Sequence, residues 1–236
     1  ENGDVLGQSL GLPLFLGNLE ICVKLIADKI GWDAFKPGDV FYMNDSYMTG
    51  THLNDSTIVT PIFWNDKRVG FTAARAHWLD IGAKDPGAPM DSHEIYQEGM
   101  RWGPTRLYEN GEPKEEILDF LQRNSRFGYG LIGDMNAQIA ACRTGEIRLQ
   151  AVLDRFGQET VGFARDEIFR QSEELERESV SAIPDGIYRA EGKLDDDGLG
   201  SEPIPIKVKV EISGDQMKVD LAGSADQTRG PVNCGF

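Results

Sequence analysis

The chain has 236 residues, enough for one large domain or two modest ones with a substantial core. Apolar residues make up 40% of it and charged residues 27%, a composition that excludes an intrinsically disordered protein. The formal net charge of -15 argues against binding to nucleic acid or to an anionic membrane surface. No apolar run approaches the roughly 20 residues that a membrane-spanning helix requires.

The start of the chain and its three cysteines indicate its setting. The first residues, ENGDVLGQSLG, contain no initiator Met, basic start or apolar core, so we expect a piece of a longer protein without a secretion signal. Cys22, Cys142 and Cys234 are far apart and form no C-x-x-C pattern. This spacing favours buried, reduced thiols in the cytoplasm over a disulfide scaffold or a thiolate zinc site.

The first elements are a predicted helix and strand. Residues 16–30 carry apolar side chains at helical spacing, with Asn18 as the N-cap and Gly31 at the end, so they predict a helix packed on a sheet. The apolar run at residues 40–43 predicts a strand. Residues 44–50 are small and polar and predict a loop.

A predicted β-hairpin over residues 56–76 carries the strongest chemical signal. A His-x-x-Asp unit flanks it at each end, His52 with Asp55 and His77 with Asp80. Since closing a hairpin joins its two ends, we expect these side chains to converge. Two imidazoles and a carboxylate suit Zn, Mn or Fe, and three protein ligands leave room for water or substrate. Asp80 is a candidate fourth ligand or an acceptor for a histidine N–H.

Two further residues are candidates for proton transfer. Residues 82–93 contain two Pro and two Gly, which predicts a loop at the end of the hairpin, where active-site loops are common. His93 and Glu94 follow, and with Asp80 they are the candidate acid/base groups. The alternative is an exposed surface position for His93 and a purely structural hydrogen bond for each His–Asp pair.

The second half of the chain changes from helix to strand. Residues 115–122, 131–156 and 158–179 predict helices interrupted at Gly157, and Met135 and Phe156 are interpreted as core. After the boundary at 184–186, strands are predicted at 187–191, 206–212 and 217–221. Gly214-Asp215 is the predicted hairpin turn, and residues 195–197 an exposed acidic turn.

These elements predict a mixed α+β fold. It comprises a sheet-based region with the metal site (residues 1–112), a helical segment (113–183) and a β-rich segment (184–236) that continues beyond this sequence.

Several long stretches, NDSYMTGTHLNDSTIVTPIF, GFTAARAHWLDIG, EIYQEG and GDMNAQIAACRTGEIRL, closely resemble the B-type subunits of the hydantoinase B/oxoprolinase family. That family includes ATP-dependent hydantoinases, 5-oxoprolinase, lactam hydrolases, and the acetone and acetophenone carboxylases. The resemblance runs through most of the chain and is densest at residues 38–156. Family members are considerably longer than this chain.

The resemblance implies a divalent-metal site at His52, Asp55 and His77. It also implies a hetero-oligomer in which an A-type partner, with an actin/Hsp70-like ATPase fold, binds ATP with Mg. ATP then activates a small-molecule substrate by phosphorylating its amide or enolate oxygen, and the activated species is attacked at the metal. Many members have a histidine in the segment that matches residues 11–13, where this chain has Gly11.

Three hypotheses follow. The leading one is the metal-binding B-type subunit of an ATP-dependent hydrolase of a cyclic amide such as a hydantoin, oxoproline or lactam. The runner-up is a subunit of an ATP-dependent ketone carboxylase. The third is a non-catalytic scaffold in which the His/Asp pairs only tie a hairpin together.

Overall fold

The computed structural model describes residues 2–9, 11, 15 and 17–233, and they form two compact units. The first comprises Glu94–Gly157 and the described residues up to Pro89, and the second comprises Met90–His93 and Gln158–Asn233. Helices and antiparallel sheets occur together, which confirms the predicted α+β class. In the described part of the chain, no helix is long and apolar enough to span a bilayer.

The first unit is built on a five-stranded antiparallel sheet with the order β3-β2-β1-β4-β5. Its strands are β1 (Val40–Met43), β2 (Asp55–Trp64), β3 (Lys67–His77), β4 (Thr105–Glu109) and β5 (Glu112–Pro113). The helices of the chain are α1 (Asn18–Ile30), α2 (Ser46–Thr49), a 3-10 helix (Ile95–Gln97), α3 (Glu115–Arg123) and α4 (Gly128–Ser181).

The two faces of this sheet carry separate cores, because successive side chains of a strand point to opposite faces. Helix α1 packs on one face, where Cys22 and Ile26 meet Phe41 and Val59. Helices α3 and α4 pack on the other face. The core there combines side chains of the sheet and of these helices: Tyr42, Ile58, Trp78, Leu107, Leu121, Met135 and Ile139. The first unit is therefore a sheet between two helical layers. The prediction that Cys22 and Cys142 are buried is confirmed. Cys234 lies outside the described residues.

The predicted β2–β3 hairpin is confirmed, including its turn. Asn65 and Asp66 adopt positive φ angles of 48° and 61°. This conformation suits a two-residue hairpin turn, in which Asn and Asp tolerate the left-handed region better than most residues. The turn sets the first pairs, Trp64 with Lys67 and Phe63 with Arg68, and a one-residue register shift between Phe63 and Ile62 then places Asp55 opposite His77 at the open end.

Several local predictions for the first unit are wrong. The N-cap of α1 is Gly17, not Asn18, which is the first helical residue. The predicted loop 44–50 contains helix α2, whose N-cap Asp45 accepts a hydrogen bond from the Tyr47 N–H. Phe156 is 50% exposed and so is not a core residue, whereas Met135 is fully buried as predicted.

Helix α4 is interrupted at Gly157, as predicted. Gly157 has φ 78° and ψ 158°, outside the helical region, and divides the element into segments 128–156 and 158–181. Glycine adopts this positive φ without the steric cost that a Cβ would impose. The first segment belongs to the first unit and the second segment to the second unit.

The second unit contains a three-stranded antiparallel sheet with the order β6-β7-β8. Its strands are β6 (Gly186–Leu194), β7 (Ile204–Ser213) and β8 (Gln216–Asp220), joined between β7 and β8 by the predicted Gly214-Asp215 turn. The expected exposure of residues 195–197 is wrong for Asp197, which is buried. Its carboxylate accepts hydrogen bonds from the N–H groups of Leu199, Ser201 and Gly230, and these bonds offset its burial.

Candidate metal centre

The open end of the β2–β3 hairpin brings three predicted ligands together. Asp55 is the first residue of β2 and lies directly opposite His77, the last residue of β3. His52 precedes β2 by a tight turn in which the Asp55 N–H donates to the His52 carbonyl, at 3.1 Å. One donor atom from each of these three residues lies within 4.8 Å of the other two.

The Asp55 carboxylate is the centre of the group. One oxygen, Oδ1, lies 2.9 Å from His77 Nδ1. The other, Oδ2, accepts the His52 backbone N–H at 3.0 Å and lies 3.7 Å from His52 Nδ1. The two imidazole rings are 5.5 Å apart and nearly perpendicular. Asp55 thereby fixes the position of both histidines.

Burial differs sharply within the group. The Asp55 side chain is only 3% exposed, whereas those of His52 and His77 are 64% and 44% exposed. The carboxylate therefore anchors the site from within the fold, and the imidazoles form its open side. Two imidazole nitrogen donors and one carboxylate oxygen donor, accessible from one side, match the ligand types of Zn, Mn or Fe in sites that admit substrate.

Residues next to the candidate ligands are hydrogen-bonded to each other across the hairpin end. Asn54 and Trp78 form a two-way clamp, since the Trp78 N–H donates to the Asn54 carbonyl and Asn54 Nδ2 donates to the Trp78 carbonyl, at 2.8 and 2.7 Å. The Trp78 ring is buried, stacks on Tyr42, and donates from Nε1 to Gln138 Oε1 at 2.7 Å. Because Asn54 precedes Asp55 and Trp78 follows His77, these two bonds hold the backbones of Asp55 and His77 next to each other.

A buried asparagine organises the segment that leads to His52. Asn44 Nδ2 donates to the carbonyls of Leu53 and Met100, and Asn44 Oδ1 accepts the Trp102 N–H. All three bonds are 2.7 to 2.9 Å long. They tie Met100 and Trp102, which follow the predicted loop 82–93, to the turn that carries His52.

The structure does not bring Asp80 into the group. Its carboxylate accepts hydrogen bonds from the N–H groups of Gly82 and Arg126 and from Arg126 Nη1, and it lies 3.4 Å from Ser125 Oγ. Asp80 is buried, and these bonds satisfy it as a support for the loop after the hairpin. Its roles as a fourth ligand, as an acceptor for a histidine and as an acid/base group stay predictions.

His93 and Glu94 occupy exposed positions. His93 belongs to the second unit and Glu94 to the first. Glu94 is the N-cap of the 3-10 helix, where its side chain and that of Gln97 form a reciprocal capping box. This bonding accounts for Glu94 structurally, and the acid/base roles of both residues stay predictions.

Sequence reasoning missed two charged residues of the first unit. Arg75 lies two positions before His77 in β3 and is half-buried. The two-residue period of a strand could have placed it on the same face as His77. Glu98, in the EIYQEG stretch, is also half-buried, and burial raises the pKa of its carboxyl. A single sequence offers no comparable signal for Glu98.

The Glu98 carboxyl is expected to make folding stability depend on pH. Because its pKa is higher in the folded state than in the unfolded chain, the folded state binds the proton more tightly, and stability falls as pH rises through the raised value. We therefore expect Glu98→Gln to unfold at a higher temperature than wild type at pH 8, with the difference vanishing near pH 4. Calorimetry at the two pH values measures this. The exposed Glu112→Gln variant is the control, and an equal shift in both variants would contradict the assignment.

The sequence and structure of this chain resemble those of known proteins. A family model described as hydantoinase B/oxoprolinase matches residues 1–236. A protein from Pseudomonas sp. (strain NS671), provisionally named as the B-type component of a D-/L-hydantoinase, is 35% identical over 244 residues, covering 98% of this chain and 41% of the relative. The delta subunit of acetophenone carboxylase from Aromatoleum aromaticum is 28% identical, covering 98% of this chain and 34% of the relative.

Among solved structures, the crystal structure of an ATP-dependent caprolactamase from Pseudomonas jessenii matches with a TM-score of 0.80. The sequences are 34% identical, and the match covers 88% of this chain and 36% of the caprolactamase chain. This chain therefore spans well under half the length of the relatives that it matches.

Proposed function

This chain belongs to the hydantoinase B/oxoprolinase family, and from that premise we propose that it is the metal-binding part of a B-type subunit of an ATP-dependent cyclic-amide hydrolase. The substrate class is a hydantoin, an oxoproline or a lactam. The observation that carries the proposal is the convergence of His52, Asp55 and His77 at the open end of one hairpin. Relatives named as a hydantoinase component and an ATP-dependent caprolactamase support the substrate class.

The donor set fits a divalent ion of the Zn, Mn or Fe type. His52, Asp55 and His77 would hold it, and a bound ion of this kind lowers the pKa of a coordinated water toward about 7 and polarises a nearby oxygen. The buried Asp55 carboxylate supplies the negative charge and orients both imidazoles. The exposed edges of His52 and His77 leave the substrate an approach from solvent.

The nucleotide is assigned to a partner. The sequence has neither a Walker-type phosphate loop nor a dinucleotide glycine motif, so ATP with Mg is proposed to bind an A-type subunit with an actin/Hsp70-like fold. Transfer of the γ-phosphoryl group to the amide oxygen converts a poor electrophile into an activated one. Attack by one water then breaks the C–N bond of the ring, which frees the amine and leaves an acyl phosphate, and a second water would hydrolyse this acyl phosphate to the carboxylate and phosphate. The protein would act as a hetero-oligomer.

A ketone carboxylase is the second candidate. The 28% identity with a component of an acetophenone carboxylase supports it. In that reaction ATP would phosphorylate an enolate oxygen and bicarbonate would supply the new carboxyl carbon. The two functions use the same donor set, so they differ in the attacking group and not in the ligands.

ATP turnover by the complete, co-expressed complex tests the proposal. We expect turnover to be stimulated by one of the cyclic amides hydantoin, 5-oxoproline and caprolactam, with stoichiometric ring opening. Prior chelation and dialysis should abolish it, and Zn, Mn or Fe added with excess Mg should restore it. Bicarbonate-dependent turnover with acetophenone would instead support the carboxylase. Ring opening at an unchanged rate after demonstrated removal of the metal would overturn the metal role.

A further inference from the structure

Arg75 lies beside the candidate metal centre on the same face of the sheet. Arg75 lies opposite Thr57 in the hairpin, just as His77 lies opposite Asp55. Along each strand, the two pairs are two residues apart. Such a step spans about 6.6 Å and returns to the same face. The guanidinium is therefore the nearest cationic side chain on this face of β3 to the ligands.

The hydrogen-bond partners of Arg75 are neutral. Its Nε donates to Thr57 Oγ1 at 2.8 Å, and its Nη2 contacts Cys22 Sγ at 3.1 Å. Cys22 is buried, and burial raises the pKa of its thiol, so the sulfur carries no charge near neutral pH. Arg75 Nη1 is buried and has no hydrogen-bond partner in the described part of the chain.

An arginine in this state needs a further partner. A guanidinium is always charged, and burying it without an anion or a full set of acceptors is costly. Arg106 shows the usual solution in the same sheet, because Asp39 and Glu109 lie 3.4 and 2.8 Å from its nitrogens. No described carboxylate forms such an ion pair with Arg75. A divalent ion at the neighbouring ligands would add positive charge, which makes an anion between the two more favourable still.

We propose that Arg75 binds an oxyanion group of the substrate, a carboxylate or a phosphoryl group, next to the ion held by His52, Asp55 and His77. This assignment rests on the proposed metal-dependent reaction. Planar guanidinium donors match two oxygens of either group. The Phe15 ring lies 5.5 Å from the guanidinium carbon and covers it, so binding displaces this ring. Arg75 would thus position the substrate without itself exchanging a proton.

Direct anion binding to the complete complex tests this role. Titration calorimetry with orthophosphate and, separately, with acetate distinguishes a phosphoryl from a carboxylate ligand. In Arg75→Met we expect the affinity for the preferred anion to fall at least about tenfold, since a charge-assisted bond is lost, and Arg75→Lys should lose less. Arg68→Met, in the same strand and with the same change of net charge, is the matched control and should bind as wild type does.

A second readout tests the position of the anion. With Mn²⁺ bound, the ³¹P resonance of orthophosphate should broaden in wild type and sharpen in Arg75→Met, while elemental analysis finds equal manganese in both. Unchanged anion affinity in folded Arg75→Met or Arg75→Lys, or no anion binding to wild type, would overturn the proposal. Loss of anion binding in Arg75→Met with no metal in wild type would instead refute the proposed metal role and leave an anion site at Arg75.

Discussion

The Asp55→Ala variant is expected to lose its metal while the β2–β3 hairpin stays folded. Asp55 supplies the single negative donor of the group and also fixes both histidines, through His77 Nδ1 and the His52 N–H. Removing a group that merely orients a ligand typically lowers metal affinity 10- to 100-fold, so removing a ligand with that second role should cost more than about 100-fold. Elemental analysis of the complete complex should fall from about one ion per chain to none.

Asp55→Asn separates charge from shape in the same experiment. The amide keeps the size of the carboxylate and can still accept the His52 N–H, so this variant should keep the hairpin end intact but bind metal weakly. Asp28→Ala, at an exposed position of α1, changes the net charge equally and should retain the ion. Full metal occupancy in Asp55→Ala at limiting metal would show that the three residues form only a structural hydrogen-bonded cluster.

The convergence of the three candidate ligands was predictable because the hairpin that joins them forms from neighbouring parts of the chain. A two-residue turn at Asn65-Asp66 brings the two ends of the hairpin together, while a one-residue register shift between Phe63 and Ile62, which the sequence did not predict, puts Asp55 and not Asn54 opposite His77. His52 joins them because only a short turn separates it from Asp55. No contact distant in sequence is needed to define this group.

The hydrogen-bond partner of Asp80 could not be predicted from the sequence around it. Its sequence context matches that of Asp55, yet its partner is Arg126, which lies 46 residues further along the chain. A motif gives no information about a partner that far away.

Strands β4 and β5 were not predicted for a related reason, since β4 (Thr105–Glu109) contains one fully buried residue, Leu107, among polar neighbours. Its position beside β1 is set by tertiary pairing.

Arg75 and Asp197 were missed because their importance depends on what surrounds them. Asp197 belongs to a run of three aspartates, and its burial follows from the N–H groups that converge on it. The strand period can place Arg75 on the face of His77, but its lack of a paired anion follows only from the neutral character of its partners, Thr57 and Cys22. Composition and spacing identify chemical groups, but the compensation of a buried charge is a property of the folded environment.

Replacement of Trp78 should have the largest effect on stability. Trp78→Ala removes a side chain that is 1% exposed and stacked on Tyr42, and we expect a loss of about 3–5 kcal/mol in the free energy of unfolding. Trp78→Phe retains most of the packing but leaves Gln138 Oε1 buried without its donor, at a cost of about 1–3 kcal/mol. Urea unfolding measures both losses, and the slope of the unfolding free energy against urea concentration should be the same in each variant as in wild type.

Trp64→Phe is the matched control for that hydrogen bond. Trp64 Nε1 also donates to a side chain, Asp154, at 2.7 Å, but this bond is exposed, so its loss should cost less than about 1 kcal/mol. Equal losses in Trp78→Phe and Trp64→Phe would contradict the role assigned to the buried bond.

Metal affinity then tests whether packing positions the ligands. Trp78 follows His77 and is hydrogen-bonded to Asn54, so we expect folded Trp78→Phe to bind metal about tenfold more weakly than wild type. Unchanged metal affinity would instead show that the β2–β3 hydrogen bonds alone set the spacing of Asp55 and His77.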